Sequence, residues 1–254
     1  MSTPLPLPED WQDIQTSLVP AYETSGLWGA SPFADELPQD MARGSDPHLA
    51  YLTLVFSISG GRDPEALWKA ARQTYADDPE LFDPKYLAFA RPQDLQPRLR
   101  HYALSKKPKS EATVWQRIGK ALVMRAGGSV RTLLMDHDFD GEALLAMLQK
   151  SKTTFPVLSG EQTAPRWIYG LAHFGGQPIS PTEILMVHAS PGVARALDGL
   201  GGDSDLVPVV LFDALDALGR KGCSKRKPRE TECPMALECV VSQFCMYGNT
   251  DSNT

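Results

Sequence analysis

Apolar residues recur at helical spacing along most of this chain. They fall at positions i, i+3 and i+4, the pattern of an amphipathic helix, in segments 64–75, 95–104, 110–126, 141–150 and 206–219. A continuous apolar run, HLAYLTLVFSIS at 48–59, is longer than a typical buried strand and predicts a core helix. No alternating segment bounded by a tight turn indicates a hairpin of strands. The pattern predicts an all-α protein.

Short polar residues indicate where some of these helices begin. Asp140 precedes Gly141, and Ser190 precedes a proline, so both are predicted N-caps. The sequence SPTE at 180–183 predicts a capping box, with Ser180 as the N-cap and Glu183 reaching back to it.

The segment DHDFDG at 136–141 also resembles the first half of a calcium-binding loop. Asp136, Asp138 and Asp140 stand at alternate positions, but Met147 occupies the twelfth position, where such a loop needs a bidentate glutamate. An acidic turn that caps the next helix is the favoured interpretation.

Composition is that of an ordinary globular protein. Of 254 residues, 42% are hydrophobic and 22% are charged, and no apolar run approaches the roughly 20 residues that span a bilayer. The N-terminal stretch has neither the basic nor the apolar region of a signal peptide. We expect a cytoplasmic protein without a membrane partner.

Charge is distributed unevenly around a net value of −6. Residues 1–50 carry eight acidic residues and a single arginine, whereas residues 97–131 carry nine Lys or Arg residues and one acid. A second basic block of six residues lies at 220–229. Because binding follows the local field, such blocks can hold a polyanion even on an acidic chain. A solvated basic helix face is the alternative for the first block.

All four cysteines lie in one short stretch, at Cys223, Cys233, Cys239 and Cys245. In a reducing compartment, clustered cysteines indicate metal ligands rather than disulfides. Four thiolates suit a [4Fe–4S] cluster. Zinc also takes four cysteines, but structural zinc sites favour closely spaced pairs, and the gaps here are nine, five and five residues. The iron–sulfur cluster is favoured and zinc is the alternative.

The helix predicted at 141–150 leads through FPVLSGEQTA at 155–164 into a second predicted helix. This is a helix–hairpin–helix layout, in which backbone N–H groups and a helix N-terminus can receive a phosphate. An ordinary αα-hairpin has a similar pattern.

These two features together resemble the endonuclease III and MutY family of DNA base-excision glycosylases, the helix–hairpin–helix (HhH-GPD) superfamily. The family loop Cys-x6-Cys-x2-Cys-x5-Cys is matched by Cys223, Glu230, Cys233 and Cys239, with Glu230 in place of the second cysteine. The segments GRKGCSKRKPR, CPMALEC, EQTA and HLAYLTLVFSISGGRD are also similar to the family. The fourth ligand is either Cys245 or Glu230; Cys245 is favoured because iron–sulfur clusters prefer thiolate.

The resemblance implies an architecture of two helical domains. A six-helix barrel domain containing the helix–hairpin–helix is expected at 48–175. An iron–sulfur cluster domain is expected from 1–47 together with 176–247, followed by a disordered tail at 248–254. The DNA and base site is expected in the cleft between the domains, in a monomer that binds double-stranded DNA.

The resemblance also implies DNA-contacting residues. In the hairpin they are Leu158, Ser159, Gly160, Gln162 and Thr163, and in the cysteine loop they are the basic residues Lys225, Arg226, Lys227 and Arg229. Arg62, after the first core helix, is the candidate to wedge into the DNA stack.

The family's two catalytic positions are altered in this sequence. Gln162 occupies the position of the lysine that forms a Schiff base in bifunctional members, so no lyase of that type is expected. The catalytic aspartate position falls at Ser180, Pro181 or Thr182, and Glu183 is the nearest acid. Glu183 is therefore the candidate catalytic carboxylate, with the capping box as its alternative role.

Two functions of different class follow from this resemblance. One is a monofunctional DNA glycosylase that flips a damaged or modified base out of the duplex and removes it. The other is a catalytically silent relative that binds or bends DNA. A zinc-stapled protein-interaction domain is a third possibility.

Overall fold

The structure is a computed structural model that describes residues 9–27, 30–200 and 204–223. Most of these residues are helical, which confirms the predicted all-α class. The α-helices are α1 Glu9–Ser25, α2 Asp46–Phe56, α3 Pro64–Asp77, α4 Pro84–Phe89, α5 Pro92–His101, α6 Pro108–Ala126, α7 Val130–Met135, α8 Gly141–Lys150, α9 Thr163–His173, α10 Pro191–Leu200 and α11 Val209–Ala217. The strands are β1 Met186–His188 and β2 Leu206–Pro208. Within the described ranges, no helix is long and apolar enough to cross a bilayer.

Internal contacts divide the chain into two compact units. One unit is continuous and spans residues 33–182. The other combines residues 1–32 with residues 183–254.

Helix α2 is the centre of the continuous unit. It is buried on every side from His48 to Phe56, as expected for a helix that is apolar all round, which confirms the prediction of a core helix rather than a strand. Trp115 of α6 is fully buried and donates from Nε1 to the carbonyl of Leu54 (3.1 Å). Helix α4 lies directly against α6, because a Cβ at Gly119 would stand 2.6 Å from Leu87 Cβ.

The other unit contains α1, α10, α11 and both strands. The strands pair antiparallel with Val187 opposite Val207, and α1 and α10 both contact α11. Ser190 accepts from the N–H groups of Gly192 and Val193 at the start of α10, so its predicted capping role is confirmed.

One predicted helix begins later than the sequence pattern indicated. Residues 206–208 of the predicted helix 206–219 form β2, and α11 starts only at Val209. Residues 206–208 form a strand because they pair with β1. Since α10 separates the two strands in the chain, no tight-turn signal in the sequence indicates this pairing.

Candidate nucleic-acid interface

The predicted hairpin is formed by α8, a series of turns at 151–162, and α9. Asp140 caps α8 as predicted, because its Oδ1 accepts from the N–H groups of Glu142 and Ala143 (2.8 and 3.0 Å). Inside the turns, Phe155 and Leu158 are buried at 1% and 0% exposure. These two apolar side chains anchor the connection in the core.

The tip of the hairpin is built around Gly160. Its carbonyl accepts from Thr163 N and Ala164 N (3.0 and 2.8 Å), and its own N–H donates to the carbonyl of Val157 (2.9 Å). Val157 adopts a positive φ of 68°, which an L-residue with a branched side chain seldom does. Two N–H groups at the start of α9 are therefore engaged within the hairpin itself.

The exposed part of this tip is small and polar. Gly160 and Gln162 are exposed and Thr163 is half-buried, whereas Leu158 is fully buried and Ser159 nearly so. Among the residues expected to contact DNA, the structure presents Gly160 and Gln162 to solvent and places Leu158 in the core.

Helix α9 is fixed to the central helix α2 by two contacts. Trp167 Nε1 donates to Thr53 Oγ1 in the buried interior (3.0 Å). At Gly170 an added Cβ would stand 2.4 Å from Phe56 Cε2, so α9 approaches α2 as closely as only glycine permits. The hairpin is thus carried by a well-packed helix rather than by a loop.

No helix begins at Ser180, so the predicted capping box was wrong. Ser180 N donates to the carbonyl of Phe139 (3.0 Å), and the Ser180 carbonyl accepts from Gly141 N (3.3 Å), which forms a bridge between Asp140 and Ser180. The backbone groups of Ser180 are used by the segment before α8, a non-local pairing that overrides the local capping signal.

The helix that Glu183 was predicted to cap is therefore absent. Glu183 is exposed and lies in a turn before β1. It is also the residue at which the second segment of the discontinuous unit begins. Gln162, by contrast, belongs to the continuous unit.

The guanidinium of Arg62 binds a neighbouring loop. Nη1 donates to the carbonyl of Leu104 (2.7 Å) and Nη2 to that of Ala103 (3.1 Å). Arg62 therefore ties the loop after α2 to the connection between α5 and α6.

Cys223 is the one cysteine within the described residues, and it is half-buried at the end of a π-helical turn, Leu218–Gly222. Cys233, Cys239, Cys245 and the basic residues Lys225, Arg226, Lys227 and Arg229 lie outside the described residues. In the part of the chain that is described, no group of three His, Cys, Asp or Glu residues is arranged to hold a metal ion. The acidic turn at Asp136–Asp140 is therefore not such a group.

Four members of the first basic block are occupied by structural contacts, one of them being Lys106, whose Nζ donates to the carbonyl of Gly61 (3.3 Å). Arg98 pairs with Asp78, the guanidinium of Arg125 lies 5.7 Å from the centre of the Phe155 ring, and Arg131 donates to the carbonyl of Gly44. The remaining cations lie on α5, on α6 and directly before α6: Arg100, Lys107, Lys109, Arg117 and Lys120. The sequence shows the basic block, but it does not show which of its cations remain available to bind a ligand.

Comparison with known proteins finds similarity in structure alone. The chain resembles a solved structure described as "Structure of a Trapped Endonuclease III-DNA Covalent Intermediate: Estranged-Adenine Complex", with a TM-score of 0.55. The match covers 94% of this chain and 100% of the other. The chain has the endonuclease III fold. Sequence identity is 16%, no family model matches, and no curated protein matches.

Proposed function

We propose that this protein is a monofunctional DNA N-glycosylase that removes a damaged or modified base from duplex DNA. The observation that carries the proposal is the endonuclease III fold over 94% of the chain, together with a helix–hairpin–helix at the predicted place. The solved neighbour is a DNA complex, which supports duplex DNA as the partner.

In the proposed reaction, the target base leaves the stack and its N-glycosidic bond breaks. Glu183 supplies the carboxylate that stabilises the positive charge developing on the sugar and activates the attacking water. Glu183 is exposed in a turn before β1, and no helix begins at Ser180.

Gln162 is the reason for proposing a monofunctional enzyme. An amide cannot attack the sugar as an amine does, so no Schiff base forms and the strand stays intact after base release. Gly160, Gln162 and Thr163 contact the DNA backbone at the hairpin, and the basic residues between Cys223 and Cys233 do so in the cysteine loop.

The test is base release from a panel of duplexes, each carrying one damaged or modified base. After incubation, samples are analysed on denaturing gels with and without hot alkali. A strand break that appears only after alkali supports a monofunctional glycosylase. A break before alkali contradicts the role given to Gln162.

The catalytic assignment is tested with Glu183→Gln. We expect base release to fall by at least about a hundredfold, because one catalytic carboxylate commonly contributes that much, while duplex affinity stays unchanged. Glu142→Gln, a matched change of an exposed carboxylate on α8, serves as the control. Equal rates for the two variants would remove Glu183 from the mechanism.

A second candidate function is that of a catalytically silent DNA-binding relative. It is favoured by Ser180, Pro181 and Thr182, none of which offers a carboxylate at the family's catalytic position. Tight binding of every duplex in the panel without base release from any of them would establish this alternative.

The proposed cofactor is a [4Fe–4S] cluster held by Cys223, Cys233, Cys239 and Cys245, and its role is structural. The donor set fits, since four thiolates suit such a cluster, and the half-buried Cys223 follows directly on a π-helical turn of the discontinuous unit. The protein should be brown, contain iron and sulfide, and lose colour with dithionite. A colourless zinc protein would instead support the protein-interaction alternative.

The fourth ligand is tested by a matched pair of variants. If Cys245 binds iron, Cys245→Ser loses the brown colour and Glu230→Gln keeps it. The reverse result assigns the position to Glu230.

A further inference from the structure

An open groove lies between the last turn of α5 and the first turns of α6. It encloses about 600 Å³. Its polar lining consists of Arg100, Lys107, Lys109, Ser110, Thr113 and Arg117. The groove lies entirely within the continuous unit and shares no residue with the hairpin.

The charge of this groove is not neutralised within the described residues. Elsewhere in the described chain, Arg43, Arg72, Arg91 and Arg98 each pair with a carboxylate. None of the ion pairs found among the described residues involves the groove's four cations, and all four are exposed. Holding four like charges together costs free energy through self-repulsion, which an anionic ligand would relieve.

The acid nearest to these cations in sequence, Glu111, faces the start of its own helix. Its carboxylate accepts from the backbone N–H of Lys107 (3.3 Å) and from the hydroxyl of Ser105. The hydroxyls of Ser110 and Thr113 donate to the carbonyls of Lys107 and Lys109. The donors left to face a ligand are therefore the two ammonium and two guanidinium groups.

The spacing of these groups suits an extended anion. Lys109, Thr113 and Arg117 lie four residues apart on α6, so they share one face, and Lys109 and Arg117 are separated by about 12 Å along the helix. Duplex DNA presents about seven phosphate charges over that length of its axis. The positive end of the α6 dipole adds to the attraction at the Lys109 end.

We propose that this groove is a second DNA-backbone surface, which binds phosphates of duplex DNA independently of the hairpin. The choice of DNA over another polyanion rests on the proposed function. Contacts of this kind position the protein on the duplex and carry no sequence information. The groove would hold the protein on undamaged DNA while it searches for a target base.

The test is the salt dependence of binding to a labelled undamaged duplex, measured by fluorescence anisotropy. The double variant Lys109→Gln with Arg117→Gln should weaken binding about tenfold near 0.1 M salt and lower the slope of log K against log salt by about 2. The control is Lys69→Gln with Lys85→Gln, which removes the same charge from exposed positions on α3 and α4. Affinity and slope of the control should stay unchanged. Far-ultraviolet circular dichroism verifies that both variants are folded.

Three results would overturn the inference. The first is that the groove variant binds with the same affinity and salt slope as the unmodified protein, and the second is that the control variant loses as much affinity as the groove variant. The third is that polyglutamate of the same charge displaces the duplex as effectively as unlabelled DNA does. Base release is measured separately on the duplex panel. Weak binding by the groove variant, together with no base release by the unmodified protein, supports the groove and contradicts the glycosylase. Normal binding by the groove variant, together with base release by the unmodified protein, does the opposite.

Discussion

The side chain of Thr53 connects the hairpin to the core. Its hydroxyl accepts from Trp167 Nε1 and donates to the carbonyl of Leu49 (2.7 Å), and all three groups are buried. Thr53→Val keeps the side-chain shape but leaves the indole N–H unpartnered, which should lower the free energy of unfolding by about 1–3 kcal/mol. Urea unfolding measures the change. Thr53→Ser is the control because it keeps the hydroxyl, and a valine variant as stable as the serine variant would contradict this role.

The buried imidazole of His48 predicts a dependence of stability on pH. Its Nδ1 accepts from the backbone N–H of Gly44 (2.9 Å), and the side chain has no exposed surface. Burial, assisted by the positive charge of Arg43 and opposed by Asp35, lowers the pKa of His48 from 6.5 to about 4. Between these values the unfolded chain holds more protons than the folded one, so the free energy of unfolding decreases as the pH falls through this range.

This contribution is complete above pH 6.5 and should be lost by an amount approaching about 3 kcal/mol as the pH drops below 4. His48→Asn keeps a hydrogen-bond acceptor but does not titrate, so its free energy of unfolding should vary less between pH 7 and pH 4.5. The exposed His101 provides the matched control, His101→Asn. If His48→Asn and the unmodified protein show the same pH dependence in urea unfolding, the assignment fails.

At the scale of elements, the contact of α9 with α2 depends on Gly170. A methyl group there would lie 2.4 and 2.5 Å from two ring atoms of Phe56, so Gly170→Ala must displace the ring or the helix. The expected loss is about 1–3 kcal/mol of unfolding free energy, the usual cost of overpacking a core. Gly60→Ala, where no atom lies within 4 Å, should be nearly neutral. An unchanged urea midpoint for Gly170→Ala would indicate that Phe56 moves aside without cost.

The same elements show how far local sequence patterns predict this fold. The caps at Asp140 and Ser190 were predictable because the cap and the N–H groups it binds lie within three residues of each other. The cap predicted at Ser180 does not form, because the backbone of Ser180 instead pairs with Phe139 and Gly141, which are distant in sequence. Strand β2 was missed for a related reason: residues 206–208 are strand only because β1 lies beside them.

At the scale of the whole molecule, the basic block shows the limit of predicting a site from sequence. The nine cations between 97 and 131 are evident in the sequence, but their availability depends on distant residues. Asp78 neutralises Arg98, and Phe155 and Gly44 engage Arg125 and Arg131. Four of the nine cations, Arg100, Lys107, Lys109 and Arg117, line the groove between α5 and α6. The family resemblance predicted the fold correctly. Which cations remain available could not be predicted, because it depends on contacts with residues that are distant in sequence.

The division into two units predicts that DNA binding and base release can be separated. Residues 33–182 form a continuous unit with its own core, and the hairpin and the basic groove both lie within it. Expressed alone, this segment should unfold cooperatively and still bind an undamaged duplex, but more weakly than the full chain, because it keeps the hairpin and the groove and lacks the basic residues of the cysteine loop. Glu183 lies outside the segment, so no base should be released from any duplex.

The control for this experiment is full-length Glu183→Gln, which should likewise bind without releasing a base. If the fragment and the variant both bind the duplex and release no base, the continuous unit is sufficient for binding and base release requires residues outside it. Base release by the fragment would instead require a carboxylate within 33–182, and would direct the search to the exposed acids Asp138, Asp140 and Glu161 near the hairpin.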